Sequence, residues 1–344
     1  MNNQQILGQL ANKKQREAFK SMREDMETGK ALLNPEQLAQ FLKAASLPQE
    51  MLNRADFKLM KSHEKNLSRV GINGRVLQNG YTAEGETNAD ITAANKQFGA
   101  NVLVARKLKA LCEIEDDELD DNLEQEQYTT TLLNLMGERI GEDIEFFNAY
   151  SSTDITYADN PLLSTTDGWL KAANNQLQST GISGGTEDFD LANGVESMFD
   201  KLLLSIPPRF RQNRNGFVFF VPFEVDDAYR NVLKGRNTNL GDTNQVGFNG
   251  LVYKGIPIIH CPTLDAEDGR ALDDTASVLL TKPTNMAYGV WKNVTIEPER
   301  KPANELTKFW YRLRADCDYY FREGAAVAKI STDEVAELPD ASRV

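Results

Sequence analysis

Apolar positions return at three- and four-residue spacing in some stretches of this chain and alternate or cluster in others, and these two patterns set the predicted elements. From Asp117 to Tyr150 the residues Tyr128, Leu132, Met136, Ile140 and Ile144 recur every fourth position and Phe147 follows, while Glu124, Glu126, Glu138 and Glu142 fall on the other side. One long helix with a single buried stripe is predicted. About thirty residues at roughly 1.5 Å each make a rod of about 45 Å. Gly137 and Gly141 lie inside it, and each glycine costs about 1 kcal/mol relative to Ala in a helix, so a bend or a close packing contact is expected there. Leu191, Val195, Met198, Phe199, Leu202, Leu203 and Ile206 trace a second helical face, closed by Pro207-Pro208. Nearer the N-terminus, Leu32, Leu33, Leu38, Phe41 and Leu42 give a further helix with Asn34 ahead of Pro35 as its cap and Pro48 as its end.

Elsewhere the period is two. Val70 to Val76 alternates around two glycines in the manner of a strand with a sharp bend, the polar segment Gly80 to Gly99 follows, and Ala100 to Leu108 is a return strand. This excursion has few core residues of its own, and an isolated hairpin is marginally stable in water, so support from outside it is expected. Ser151 to Gly185 is predicted as loops around Asp167-Gly168-Trp169-Leu170, with the polar run Asn174 to Thr180 helical or loop-like. Then the types alternate: a buried strand at Gly216 to Val221, a helix from Phe223 to Lys234 stopped by Gly235, a strand pair or bent strand around Gly255 between Leu251 and His260, and a strand at Ser277 to Thr281. Residues 287–330 give long strands around a polar loop at Glu297 to Thr307. The mixture is α+β, with no repeat at solenoid or propeller period.

Charge changes this picture more than composition does. The 344 residues are 40% hydrophobic, normal for a globular protein with a real core. The net charge of −13 is unevenly spread: residues 1–80 carry +5 and residues 81–344 carry −18. Nine acids and no base lie between Glu113 and Gln127, which suits the start of a long helix. Such a run is a solvated face, or the seat of a basic N-terminal arm from a neighbouring subunit. An acidic chain without clustered arginines is not expected to grip phosphate backbones in a sequence-reading manner. The longest apolar stretch, Gly216 to Phe223, is too short to cross a bilayer, and MNNQQILGQLANKKQ lacks a signal peptide's apolar core, so the protein is expected in the cytosol with no membrane partner.

The chemistry-bearing residues are few. Cys112, Cys261 and Cys317 are far apart with no Cys-x-x-Cys pair, so all three are expected as buried thiols. His63 and His260 fall in different regions, which leaves little for a histidine-based metal site. Gly181-Ile182-Ser183-Gly184-Gly185 fits G-x-S-x-G, but a nucleophile elbow needs a buried strand directly before the serine, and the preceding run is polar. Neither a Walker lysine loop nor G-x-G-x-x-G after a strand occurs. No catalytic, cofactor-binding or metal-ligating residue is assigned, and no cofactor is expected.

The order of blocks is more telling than any short motif. LLNPEQLAQFLKAASLPQEM, FGANVLVARKLKALCEIEDDELDDN, GEDIEFFNAYSST, LLLSIPPRFRQNRNGFVFFVPFEVDDAYRNVL, GLVYKGIPIIHCPTL and RLRADCDYYFREGAAVAKIS follow one another in a way that resembles the major capsid protein of tailed double-stranded DNA phages, the Hong-Kong-97-type fold. The likeness spans about residues 31–332. It implies an N-terminal arm at 1–70, an extended β-hairpin, the E-loop, at 71–108, a peripheral domain with the spine helix at 109–186, an axial domain at 187–285, a peripheral return with the P-loop at 286–332, and a C-terminal tail at 333–344.

What the resemblance implies for function is a head protein that assembles into pentamers and hexamers, tiling an icosahedral shell around double-stranded DNA without reading its sequence. It would be assembled in the host cytoplasm and end in the virion. A portal and a separate scaffolding protein are implied as partners, with room for a decoration protein. Head-to-tail contacts around a closing ring need two different faces per subunit, and the polarised charge provides them. The contact candidates are Arg75, Glu84, Glu86, Arg106, Lys107, Asp116, Asp117, Asp120, Asp121, Glu299, Arg300 and Lys301. Reversing Asp116–Asp121 is expected to impair assembly more than folding. The alternatives are an encapsulin-like compartment shell, a tail-tube or sheath subunit that polymerises into rods, and a serine hydrolase using Ser183.

Overall fold

The computed structural model describes residues 49–73, 95–115, 126–158, 160–180, 187–191, 194–234, 250–265, 275–291, 295–301 and 304–331. The predicted helix around Leu32–Leu42 lies outside these residues, as do the tail beyond 331 and the first part of the acidic run's helix. In chain order come α1 (Glu50–Arg54), β1 (Asp56–Met60), β2 (Glu64–Asn73), β3 (Asn95–Val104), β4 (Arg106–Glu115) and the long helix α2 (Glu126–Tyr150). These are followed by α3 (Trp169–Ala172), β5 (Asn175–Ser179), β6 (Glu187–Phe189), α4 (Val195–Ser205), α5 (Pro208–Arg211), β7 (Val218–Val221) and α6 (Phe223–Lys234). The strands that follow, linked in part by short 3-10 turns, are β8 (Val252–Tyr253), β9 (Ile256–His260), β10 (Thr275–Thr281), β11 (Met286–Trp291), β12 (Thr295–Lys301), β13 (Leu306–Tyr319) and β14 (Ala326–Ser331).

The strands divide into three sheets. A seven-stranded sheet runs β6-β5-β14-β10-β7-β9-β8. Its central strands alternate: Phe219, Val221, Val278, Leu280, Ala326, Ala328, Ile256 and Ile258 meet α4 and α6 in one core, while Val218, Phe220, Leu279 and Val327 face a second core shared with α2 and α3. Both faces are therefore covered, and the two-residue period is the physical cause. Lys254 and Gly255 both take positive φ, 47° and 85°, and make the tight turn from β8 to β9, whose twist suits two residues of this conformation.

A five-stranded sheet is built on β13, with β11 and β12 along one edge and β4 along the other, and β1 added parallel to β11. Its inner face, Phe309, Tyr311, Leu313, Ala315 and Cys317, packs against α2 through Ile140, Ile144 and Phe147. Gly168 allows α3 to approach the end of α2: a Cβ there would sit 2.7 Å from the Asn148 carbonyl and 2.8 Å from that of Ala149, closer than any side chain tolerates. The third sheet is the hairpin β2–β3 alone.

Several expectations need correction. The hairpin ladder starts at Glu64, pairs it with Val104, and ends before Arg106, so 71–108 misplaces both ends. Glu64 to Arg69 is too polar to look like a strand, and Arg106–Leu108 already belongs to β4 on β13. β1 places part of the predicted arm 1–70 inside a sheet. Asn174–Thr180 contains a strand, β5, parallel to β14. Its polar side chains serve as local anchors, with Asn175 Nδ2 donating to the Glu323 and Ala325 carbonyls at 2.9 and 2.8 Å, and this hides the strand from a hydrophobic pattern. Glu297–Lys301 and Leu306–Thr307 are strand, joined across 302–305, because cross-strand polar pairs replace apolar ones there. β5 and β14, which lie outside the predicted segment 187–285, both belong to the seven-stranded sheet. Cys261 and Cys317 are buried thiols as expected, whereas Cys112 is half-buried at the rim of the core.

Candidate assembly surfaces

Among the described residues, the contacts that tie the hairpin down lie at its base. Met60, Leu67, Leu103, Ala105 and Ala287 form a small core of their own, with Trp291 and Tyr320 packed against it. Gly289 permits this contact, for a Cβ there would lie 2.7 Å from Met60 Sδ and 3.0 Å from Leu103 Cδ1. Polar bonds finish the anchor: the Val104 amide donates to Asp316 Oδ2 at 2.6 Å, Asn101 Nδ2 to the Tyr319 carbonyl at 2.5 Å, and the Ala105 amide to the His63 carbonyl at 2.9 Å. Thr166 donates to the other oxygen of Asp316 at 2.8 Å. Burial nonetheless pushes the Asp316 carboxyl above its ordinary range, the donors offsetting only part of the lost hydration. Beyond this base the ladder reaches Asn73 and Asn95 with no third strand among the described residues. Ten pairs at about 3.4 Å each make it about 34 Å long.

Next to the hairpin base lies the outer face of the five-stranded sheet. Pairing fixes its rows: Lys107 with Arg314; Lys109 with Arg312 and Thr295; Leu111 with Trp310 and Glu297; Glu113 with Lys308 and Glu299. The rows nearest the hairpin are cationic. Lys107 and Lys109 are exposed and make no ion pair with a described residue, while Arg314 lies over the Trp291 ring at 5.4 Å. Farther along, signs mix: Arg312 pairs with Glu297 at 2.6 Å, Lys308 with Glu113, and Trp310 Nε1 donates to Glu299 at 2.8 Å. Leu111 remains 39% exposed among them.

This geometry splits the predicted contact residues. Arg106 and Lys107 sit at the hairpin end of β4, and Glu299, Arg300 and Lys301 at the opposite end of the same sheet. Arg300 donates to Thr307 Oγ1 at 3.1 Å, and Lys301 Nζ lies 3.9 Å from Glu299. Six residues of strand, about 20 Å, separate the two groups, so they form two patches rather than one. Arg75, Glu84, Glu86, Asp116, Asp117, Asp120 and Asp121 lie outside the described residues.

The sequence reading missed Glu145. It is fully buried on α2, where Oε2 accepts the Met51 and Leu52 amides at 3.1 and 3.0 Å and Oε1 accepts the Thr263 hydroxyl at 2.6 Å. One carboxylate thus joins α1, the long helix and the turn after β9. Desolvation pushes its carboxyl above the ordinary range against those three donors. A signal was present: Gly137 and Gly141 are both buried, and continuing their four-residue spacing lands on Glu145 and then near Asn148, also fully buried. The helix has a second buried stripe, of glycines and polar residues.

The hydrolase alternative gains nothing from the geometry. A strand does precede Ser183, contrary to expectation, but β5 and the strand carrying His260 stand four positions apart in the sheet, about 19 Å. His260 Nε2 lies 3.0 Å from Asp265 Oδ2 and its ring meets Phe223 edge-on. Ser183 itself is outside the described residues. Among the described residues no cluster of His, Cys, Asp and Glu could hold a metal ion, and no helix is long and apolar enough to cross a membrane.

No family model matches the chain. The Bacillus subtilis (strain 168) protein YqbE, a prophage capsid protein by name, is 24% identical over 314 residues, covering 89% of this chain and 93% of that one. Among solved structures, the satellite phage P4 procapsid including size determination (Sid) protein superposes with a TM-score of 0.55 at 14% identity, covering 86% of this chain and 99% of that chain. The capsid of a native GTA particle gives 0.53 at 15% identity, covering 84% and 90%. Mycobacterium phage Adephagia gives 0.53 at 13%, covering 82% and 89%. The mixed helix-and-strand fold of this chain is a phage-capsid fold.

Proposed function

We infer that this chain is a phage major capsid protein, a structural subunit that assembles with copies of itself into the shell of a tailed-phage virion. The observation that carries this reading is the hairpin β2–β3: a ladder about 34 Å long, fixed at one end and paired with nothing else described, in a chain whose fold corresponds to capsid subunits over more than four-fifths of its length. A two-stranded ribbon of this kind needs a surface to lie on, and a repeated assembly supplies one from the next copy.

Within that reading the hairpin, with its ladder at 64–104, acts as the E-loop, α2 as the spine, the five-stranded sheet as the peripheral domain and the seven-stranded sheet with α4 and α6 as the axial domain. The connection at 302–305 and its flanking strand ends take the place of the P-loop. Copies close into pentamers and hexamers of an icosahedral shell, with a portal and a separate scaffolding protein as partners. The cationic rows around Lys107 and Lys109 receive an acidic partner surface, and Glu299, Arg300 and Lys301 form a second contact. A net charge of −13 suits a wall that encloses DNA without adhering to it.

Negative-stain microscopy of the purified full chain tests the reading. Closed icosahedral particles are expected, and particles isolated from a producing host are expected to hold nuclease-protected double-stranded DNA. Rods would favour a tube or sheath subunit, protein cargo an encapsulin-like compartment, and a soluble small oligomer under all assembly conditions would overturn the shell altogether.

A further inference from the structure

The seven-stranded sheet carries, at the two ends of β9, a pair of surfaces that the capsid reading leaves without a role. One is a cavity of about 450 Å³ where the end of α4, the turn α5 and the β8–β9 turn converge. Its floor is apolar, from Leu203, Leu204, Phe217 and Ile256, and Leu204 is left 64% exposed. Its rim is cationic. Arg211, Arg214 and Lys254 line it against a single acid, Asp200, and that acid is engaged by Lys254 and by the Tyr253 hydroxyl. Arg211 Nε has no acceptor among the described residues.

The other surface is the start of α6. Phe223 stands 57% exposed one residue after Pro222 and two after the end of β7. Around it are Glu224, the exposed Asp227 and Asp265. Its amide is held by Asp265 Oδ1 at 2.7 Å and its ring lies 5.8 Å from that of His260, so an apolar knob is fixed in place within an acidic collar. Glu224 Oε2 is buried beside it with no donor among the described residues, while Asp227 is the exposed acid of the collar. Val221 pairs with His260 at one end of β9, and Ile256 and Lys254 mark the other, so knob and cavity cannot meet within one copy.

We propose that the Phe223 knob of one copy docks into the Arg211–Arg214–Lys254 cavity of the next, giving the head-to-tail contact that closes the ring. The occupant is a second copy of this chain. The argument is complementarity on three counts: an exposed aromatic against an apolar floor with an exposed leucine, an acidic collar against a cationic rim, and placement at opposite ends of one strand. A contact that joins two different faces of identical subunits propagates round a ring instead of stopping at a dimer. An aromatic anchor surrounded by charge is the arrangement in which the ring supplies affinity and the charges supply orientation.

The inference rests on the capsid reading, and the test separates the two. In the full-length protein, Arg214→Glu and Asp227→Arg are each expected to lower the assembled fraction at least about tenfold, and the two together to restore it to within a few-fold of wild type, since like charges across an interface repel and the swap renews the attraction. Independently, Arg214→Cys combined with Asp227→Cys is expected to give a ladder of disulfide-linked multimers under mild oxidation of particles, absent from wild type and from either single variant. Closed shells from wild type, with no ladder and with single reversals that assemble normally or are not rescued by the swap, would overturn this contact and leave the capsid reading standing. Failure of wild type to form any closed particle, in a producing host as well as in purified form, would overturn both.

Discussion

The strands of the seven-stranded sheet are short, two to seven residues, and those of the β2–β3 hairpin are ten residues each, yet it is the short strands that are firmly held. The first is covered on both faces, by α4 and α6 on one side and by the α2 core on the other, and its central strands β7, β9, β10 and β14 contribute apolar side chains in both directions. The second rests on a handful of side chains at its base and pairs with no other described strand. The difference teaches where this protein's stability resides and where its unspent contact surface lies. On the reading proposed above, folding is completed by the sheet, while the hairpin and the outer face of β4–β13–β12 serve contacts with another copy.

The sharpest test of that division removes a side chain from the covered sheet. Phe219 is fully buried, 4.7 Å from the Phe199 ring and 6.3 Å from that of Tyr253. Phe219→Ala is expected to cost about 3–5 kcal/mol, read as a lower denaturant midpoint of the unassembled subunit, with assembly failing as a consequence. A loss below about 1 kcal/mol would mean that this sheet is not the seat of stability.

Next in size is the junction between the two regimes. Glu145→Ala leaves the Met51 and Leu52 amides and the Thr263 hydroxyl without their acceptor, and a cost of about 2–4 kcal/mol is expected from unpaired buried donors. Hydrogen exchange at amides 51 and 52 should rise more than the global loss explains. Its pH dependence has a definite sign. The folded carboxyl is raised above the ordinary value of 4.5 by burial, so the folded state holds this proton more tightly than the unfolded chain. That contribution is complete below pH 4.5 and is lost as pH rises through the raised value. Glu145→Gln should flatten this part of the stability-against-pH curve. Asp316, raised from 3.8 for the same reason, contributes with the same sign, so the double variant with Asp316→Asn should be flatter still. An unchanged slope in both would remove burial as the cause.

These same positions mark the limit of what the sequence discloses. The α4 face, β7, α6, the β8–β9 pair and β10 were legible because apolar residues repeat at 3.6 or 2 with turn residues between them, and the long helix because Ile140, Ile144 and Phe147 fall on one stripe. Glu145 was hidden because a carboxylate is taken for a solvated residue until its donors, 94 and 118 residues away, are known. β5 and β12 were hidden for a related reason: amide side chains anchor one and Glu–Arg or Glu–Trp pairs the other, so neither shows a hydrophobic alternation. Of the predicted contact residues, Lys107 and Glu299 were recognisable as charges but not as the two ends of one sheet face, since only the register of β4 and β12 on β13 places them there.

A smaller effect is expected where the hairpin meets the sheet. Gly289→Ala pushes a methyl toward the flexible end of Met60 and toward Leu103, at a cost of about 1–2 kcal/mol. Its signature is local: faster exchange at the amides of Val104 and Ala105, little change in the denaturant midpoint of the main core, and fewer or misshapen particles. A global loss matching that of Phe219→Ala would show that the hairpin base is part of the folding unit and would erase the contrast between the two regions.

The smallest effect on the subunit, and the one that isolates assembly from folding, belongs to the exposed cationic rows. Lys107 and Lys109 point away from the core, their neighbours on the same face being Arg314 and Arg312, and neither makes an ion pair with a described residue. Replacing both by Glu therefore removes like-charge repulsion as readily as it adds new acids, and a surface change of this kind stays within about 0.5 kcal/mol for the isolated subunit. If these rows receive an acidic surface from a neighbouring copy, the same substitution places like charges in apposition at every repeat of the contact, and the cost multiplies round the ring. Unchanged melting together with a marked loss of particles, restored in part by raising the salt concentration that screens the repulsion, is the expected outcome. Normal particles at low salt would place the partner surface elsewhere and leave these lysines simply solvated.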